Sequence, residues 1–173
     1  MALARFETEF GDFDIELALE RAPITATYFR DLISGGALSG STIFRIVSAA
    51  NGSLRADHPI EVVQGGLKDT DAQPIAPIAH EPTSDTGLLH KQWAVSTARF
   101  DPGQTYGSFF ICMRDEPSLD FGGGRHPDGL GFAVFGSVVK GFDVVEALFS
   151  RAEPEEFLKN QIPIKSCYLV SAS

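Results

Sequence analysis

With two cysteines among its 173 residues, Cys112 and Cys167, this sequence lacks the makings of a disulfide framework or a cysteine-based zinc site. Two buried free thiols are the expectation. Basic residues are also in deficit, and the formal charge of -9 argues against a nucleic-acid backbone or an anionic membrane surface as partner. No apolar run approaches the ~18 residues of a membrane span, and no basic-then-apolar leader opens the chain. A cytoplasmic protein is expected, although a trimmed secretory leader is compatible with the same residues. The four histidines, His58, His80, His90 and His126, show none of the spacings of metal motifs and read as loop residues. GxSxG and the phosphate-binding P-loop are both missing. Asp120-Phe121-Gly122 spells a kinase triplet without its partner motifs, Gly122 to Gly124 has neither a lysine nor an obvious helix after it, and Asp115-Glu116 reads as solvated charge. No metal and no cofactor are called for.

What is present is apolar and aromatic. At 43% hydrophobic and 10% aromatic, 173 residues suffice for one well-packed core and are short for two, so residues 1–173 are expected to form a single domain. The central stretch is YGSFFICM, Tyr106 to Met113, a strand by composition. Strand alternation sends Phe109, Ile111 and Met113 one way and Ser108, Phe110 and Cys112 the other. Both faces are then largely apolar. Such a strand sits between two covered layers, or lies on a barrel wall whose second face floors an apolar groove. The barrel wall is preferred, because two other stretches end in residues able to complete a groove.

Along the chain, Ala2 to Leu19 alternates about Gly11-Asp12 and predicts a hairpin. A helix follows, with Pro23 in its first turn, Phe29, Leu32 and Ile33 as its stripe and Gly35-Gly36 as its end. STIFRIV, Ser41 to Val47, is a strand with Phe44 and Ile46 on the core face and Arg45 on the other. Ser48 to Pro59 is a surface loop. In IEVVQGG, Ile60 to Gly66, alternation puts Val62 and Gln64 together. Leu67 to Gln92 is an irregular excursion, Trp93 to Ala98 a strand, and Asp101-Pro102-Gly103 a turn into the central stretch. Asp115 to Gly131 is a glycine-rich loop, and Phe132 to Val139 a strand. A second helix starts at Asp143 with a capping-box-like Asp143/Glu146 pair and a stripe of Val144, Val145, Leu148 and Phe149. Ile162 to Ser171 is the last strand. Eight strands and two helices without repeats indicate a barrel or sandwich, the helices plugging barrel ends.

SFFI on a strand, an arginine inside an apolar strand upstream, VVQGG after it and FAVFGSVVKG before a helix, in that order, resemble the cyclophilin-type peptidyl-prolyl isomerases, in a divergent bacterial branch. The resemblance covers nearly the whole chain. It implies an all-β fold, a closed eight-stranded antiparallel barrel capped by two helices, with an external groove for Xaa-Pro segments. By the same resemblance Arg45 is the catalytic arginine, Gln64 the groove glutamine, Phe110 the floor of the proline pocket and Ala98 the small residue of the SMAN strand. Alternation independently places Arg45, Gln64 and Phe110 on non-core faces. Val62, Ser108 and Phe132 complete the expected substrate-binding set.

Five positions depart from the family pattern. Phe44 stands where histidine is usual, Ser108 replaces a glutamine, Glu61-Val62 replace the Phe-Met wall, and Arg99 replaces an asparagine. The family tryptophan has no match, Trp93 reading as core. The resemblance therefore implies an Xaa-Pro isomerase that assists folding and acts as a monomer on proline-containing peptides or unfolded chains, weakened in its pocket wall. The alternative is a proline-peptide binding module or holdase with little turnover. Bulky inward residues disfavour a hollow carrier barrel.

Overall fold

The computed structural model describes residues 2–52, 57–69 and 74–171. Parts of the loop expected over Ser48 to Pro59 and of the excursion over Leu67 to Gln92 lie outside the described residues. Among these, nine strands form one antiparallel sheet: β1 (Ala2–Thr8), β2 (Gly11–Leu17), β3 (Thr42–Val47), β4 (Val62–Gly66), β5 (Ala94–Arg99), β6 (Thr105–Cys112), β7 (Ala133–Lys140), β8 (Phe157–Pro163) and β9 (Ser166–Val170). Their order is β8-β3-β4-β6-β5-β7-β2-β1-β9. The two end strands are consecutive in the chain, and the link between them closes the ring: Ile164 N–H donates to Ser41 O on one side and Lys165 N–H to Glu7 O on the other. The strand expected over Ile162 to Ser171 is thus two segments serving opposite ends of the sheet, and its first half begins earlier, at Phe157.

The β1–β2 hairpin registers Phe6 opposite Phe13, whose rings stack with centroids 5.0 Å apart. Its turn falls at Glu9-Phe10 rather than at Gly11-Asp12. Gly11 instead opens β2 at φ +120°, where an added Cβ would press on Val144. Helix α1 (Pro23–Ser34) begins and ends where its proline and glycines predict, and Tyr28, Phe29, Leu32 and Ile33 are buried. The Phe29 ring lies 4.0 Å from that of Phe135 on β7, so the helix plugs the barrel. A short helix α2 (Thr83–Thr86) interrupts the excursion, and just before it Glu81 is buried and accepts from the backbone N–H groups of Ile24 and Thr25. That carboxylate binds the free donors at the start of α1.

Helix α3 (Phe142–Phe149) buries Val144, Val145 and Leu148 as its stripe predicts. The Asp143/Glu146 box does not form. The N-cap is Gly141, left-handed at φ +82°, and an added Cβ would meet Asp12 O at 2.4 Å. Close backbone approach, not a side-chain cap, sets this helix start.

Two apolar clusters flank the wall. Phe109 and Ile111 of β6 join Val63, Ile43 and Ile46 in the barrel core, whereas Phe110 and Cys112 join Val47, Ile60, Val62, Leu119 and Val134 outside it. The alternation expected for β6 holds. In β3 it does not: Ile43 pairs with Gly65 and Arg45 with Gln64, leaving Phe44 as the extra residue of a bulge. Ile43 and Ile46, rather than Phe44 and Ile46, therefore face the core. Phe44 is still buried, stacked 6.4 Å from Phe157. Cys112 and Cys167 are buried free thiols, and Trp93, partly buried against the barrel core, packs 4.9 Å from Phe142.

Candidate active site

Strand pairing brings the three central groove residues together. Arg45 on β3 is opposite Gln64 on β4, and Gln64 is opposite Phe110 on β6, so three neighbouring strands each place one side chain on the outer face in a row. They line a cleft of about 140 Å³ with Ile60, Val62, Ala98, Arg99, Tyr106, Leu119, Arg125 and Phe132. A larger recess of about 240 Å³ elsewhere on the wall holds no arginine. Size alone does not make the site; a cation converging on an apolar floor does.

Every residue expected here is at the groove except Ser108. It is fully buried beneath Gln64, accepting from Gln64 Nε2 at 2.9 Å and donating to Gly65 O at 3.3 Å. Its role is to orient the glutamine, because a hydroxyl here is too short to reach past it. Phe110 meets Phe132 edge to face at 5.7 Å, giving the cleft a floor and a wall. Val62, the replacement in the Phe-Met wall, is buried beside them.

Arg45 is part-buried, its side chain 23% exposed. Its NH1 donates to Gln64 Oε1 at 3.0 Å, and its Nε and NH2 both donate to Glu156 Oε2, at 3.2 and 2.7 Å. The Phe157 ring covers the guanidinium at 5.4 Å. Glu156 and Phe157 carry no local signal in the sequence: Glu156 lies 111 positions beyond Arg45, in a charged, proline-marked run. The arginine at position 99 is no free cation either. Its guanidinium donates to Gly131 O, Phe100 O and both oxygens of Asp128, and it lies 5.1 Å from the centre of the Phe132 ring. Arg99 pins the glycine-rich loop and supports Phe132 from behind.

His90 lies in a loop, as its sequence context suggests, but is buried there. Its Nδ1 lies 2.8 Å from Asp120 Oδ1 and its Nε2 2.9 Å from Ser96 Oγ, and its ring stacks 5.9 Å from Phe110. Burial pushes its pKa below the ordinary histidine value, although Asp120 opposes the shift. Asp120 is pushed up by burial, but the hydrogen bonds from His90 outweigh this and hold it below the usual carboxylate range. The arrangement resembles a nucleophilic triad in connectivity, but Ser96 is fully buried. It braces the floor of the groove. Glu116, read as solvated, is buried too and accepts from Glu61 N–H and Arg114. Burial raises its pKa. Among the described residues no cluster of histidine, cysteine and carboxylate side chains suits a metal ion, and no helix is long and apolar enough to cross a membrane.

The fold and site together are those of an antiparallel barrel plugged by a helix, with an arginine and a glutamine beside an aromatic floor in a cleft on its outer wall. The family model for cyclophilin type peptidyl-prolyl cis-trans isomerases matches residues 3–169, and the chain belongs to that family. It is 29% identical over 176 residues to peptidyl-prolyl cis-trans isomerase cyp18 of Streptomyces antibioticus, covering 99% of this chain and 98% of that one. Against peptidyl-prolyl cis-trans isomerase B of Escherichia coli it is 26% identical over 175 residues, covering 99% and 98%. A solved cyclophilin type isomerase of Cryptosporidium parvum shares the fold with a TM-score of 0.74 at 18% identity, over 99% of both chains. The same protein solved in the presence of the dipeptide Ala-Pro matches with a TM-score of 0.74 and 18% identity, over 99% of this chain and 100% of that one.

Proposed function

We propose that this chain isomerises Xaa-Pro bonds, with Arg45 as the catalytic residue and Phe110, Val62, Ala98 and Phe132 seating the proline. Resonance gives the imide a barrier of about 18–20 kcal/mol, crossed unaided in tens to hundreds of seconds. Reaching milliseconds takes about five decades, or about 7 kcal/mol. In the planar imide the nitrogen lone pair is delocalised; in the twisted one it is localised and accepts a hydrogen bond. A guanidinium N–H aimed at that nitrogen therefore binds the twisted state more tightly than either planar isomer. One charge-assisted hydrogen bond supplies about 1.5–3 kcal/mol net. The remainder comes from holding the ring against Phe110 and from a groove dry enough to strengthen the bond.

The observation that carries this reading is the row Arg45, Gln64, Phe110 across three paired strands. Gln64, held by Ser108 beneath it, is the group offered to a substrate carbonyl through its second amide hydrogen, which makes only a long 3.5 Å contact with Tyr106 Oη. The physiological role inferred is assistance to folding chains whose prolines have the wrong isomer. A protease-coupled assay on an Ala-Pro peptide tests it. Arg45→Ala should lower kcat/KM by about 10²–10³-fold, the cost of removing one transition-state donor. Equal rates for the two proteins would remove the enzymatic reading. Peptide-induced shifts at Gln64 and Phe110 without turnover would identify a proline-peptide binding module instead.

A further inference from the structure

Glu156 is the feature of the groove that neither the sequence reading nor the proposed chemistry uses. Its side chain is 5% exposed and it immediately precedes β8, whose first residue, Phe157, is opposite Arg45. The backbone holds it there: Ile46 N–H donates to Glu156 O at 2.9 Å, and Asn51 Nδ2 ties Ile46 O to Glu153 O. Its Oε2 accepts from both Nε and NH2 of Arg45, while its Oε1 is buried with no hydrogen-bond partner among the described residues. That is a poor arrangement for a carboxylate whose purpose is stability. Burying a carboxylate with a guanidinium costs desolvation free energy that apolar side chains of similar volume would avoid.

What the arrangement does achieve is direction. A guanidinium has five N–H groups in one plane. Glu156 takes one from Nε and one from NH2, and Gln64 takes one from NH1. Two N–H groups remain, one on each terminal nitrogen, and the Phe157 ring closes one face of the plane at 5.4 Å. The side chain is fixed by Gln64 on β4 and by Glu156 just before β8, and its two remaining donors are those available to what enters the cleft. From this geometry we propose that Glu156 is the positioning residue of Arg45: its carboxylate locks the guanidinium in the orientation that presents its two remaining N–H groups to the prolyl imide. This rests on the reading of Arg45 as catalytic.

The test compares Glu156→Met, which removes the acceptor at similar volume, with Glu156→Gln, which retains a neutral one. Arg45→Ala is run in parallel, and the Arg45 Nε–Hε resonance is followed by NMR. Glu156→Met should lower kcat by about 10- to 100-fold, the effect of a misplaced catalytic group, with KM within about twofold. Glu156→Gln should recover kcat to within about fivefold, since a neutral acceptor keeps the geometry at roughly half the strength. The Arg45 Hε signal should shift in both variants and exchange faster in Glu156→Met. Full kcat in Glu156→Met, or a rise in KM with kcat unchanged, overturns the proposal. Should Glu156→Met not fold, an Arg45 Hε signal unmoved in Glu156→Gln overturns it and a shifted one upholds it. Full activity in Arg45→Ala removes the reading of the groove itself, whereas an inactive Arg45→Ala beside a fully active Glu156→Met removes only the role of Glu156.

Discussion

Replacing Asp128 by alanine isolates what Arg99 contributes to the groove. The Arg99 side chain is 1% exposed, and Asp128 supplies two of its hydrogen bonds at 3.0 Å each, the others going to backbone carbonyls. Losing the carboxylate leaves a buried guanidinium uncompensated, which costs about 3–5 kcal/mol where water has no access. Asp128 itself is 25% exposed, so water partly takes its place. The cost is then near the lower end, about 3 kcal/mol. At about 2–4 °C per kcal/mol for a domain of this size, melting should fall by about 6–12 °C. Scanning calorimetry or thermal circular dichroism reads this directly. The pH dependence gives a second check. The hydrogen bond from Arg99 holds the Asp128 carboxyl down to about 2, against about 3.9 in an unfolded chain. Its contribution is therefore complete above about pH 4 and is lost as pH falls through about 2. The deficit of Asp128→Ala should stay constant from pH 7 to 5 and shrink below pH 4. A fall in melting temperature under about 2 °C at pH 7 would refute the claim that this ion pair pins the loop behind Phe132.

Three further outcomes are expected. His90 is held neutral by burial, so the unfolded state binds the extra proton and stability falls as pH drops below about 6.5; melting of His90→Asn should lose most of that slope between pH 6.5 and 5, and an unchanged slope would show that other groups cause it. Phe110→Leu keeps most of the volume at a stability cost under about 1.5 kcal/mol, yet should lower kcat/KM at least about tenfold in the coupled assay. Undiminished turnover would mean that the ring is not the floor. Gly141→Ala must enter a left-handed conformation against Asp12 O at 2.4 Å, so urea unfolding should show a loss above about 2 kcal/mol; a loss under about 0.5 kcal/mol would contradict the assigned helix start.

The parts of the fold legible in the sequence were those set by periodicity and by glycine and proline. β6 announced both its faces, and Phe110 was separable from Phe109, because the large residues Phe109, Ile111 and Met113 recur at period two while Phe110 alternates with the smaller Ser108 and Cys112. Arg45 stood out as a charge inside an apolar run. Bulges leave no such trace: Ile43 and Phe44 are both large and apolar, and only pairing with Gly65 and Gln64 decides which is the extra residue. β8 was hidden because it buries only Leu158 and Ile162, with Lys159, Asn160 and Gln161 exposed between them. Glu156 and His90 were illegible for a different reason. Each is an ionisable residue with another charged residue beside it in the chain, and each becomes buried through partners far away in sequence, Arg45 for one and Asp120 for the other. Partnership across the sheet is a tertiary fact without a local pattern.

Where a proline binds is the most direct question left by this account. A crystal of the protein with an Ala-Pro peptide should show the ring on Phe110, walled by Val62, Leu119 and Phe132, with an Arg45 N–H within hydrogen-bonding distance of the imide nitrogen and Glu156 still holding the guanidinium's far edge. A peptide seated away from Phe110, or on Phe110 with Arg45 turned from the imide, would contradict the claim that this arginine eases the twist.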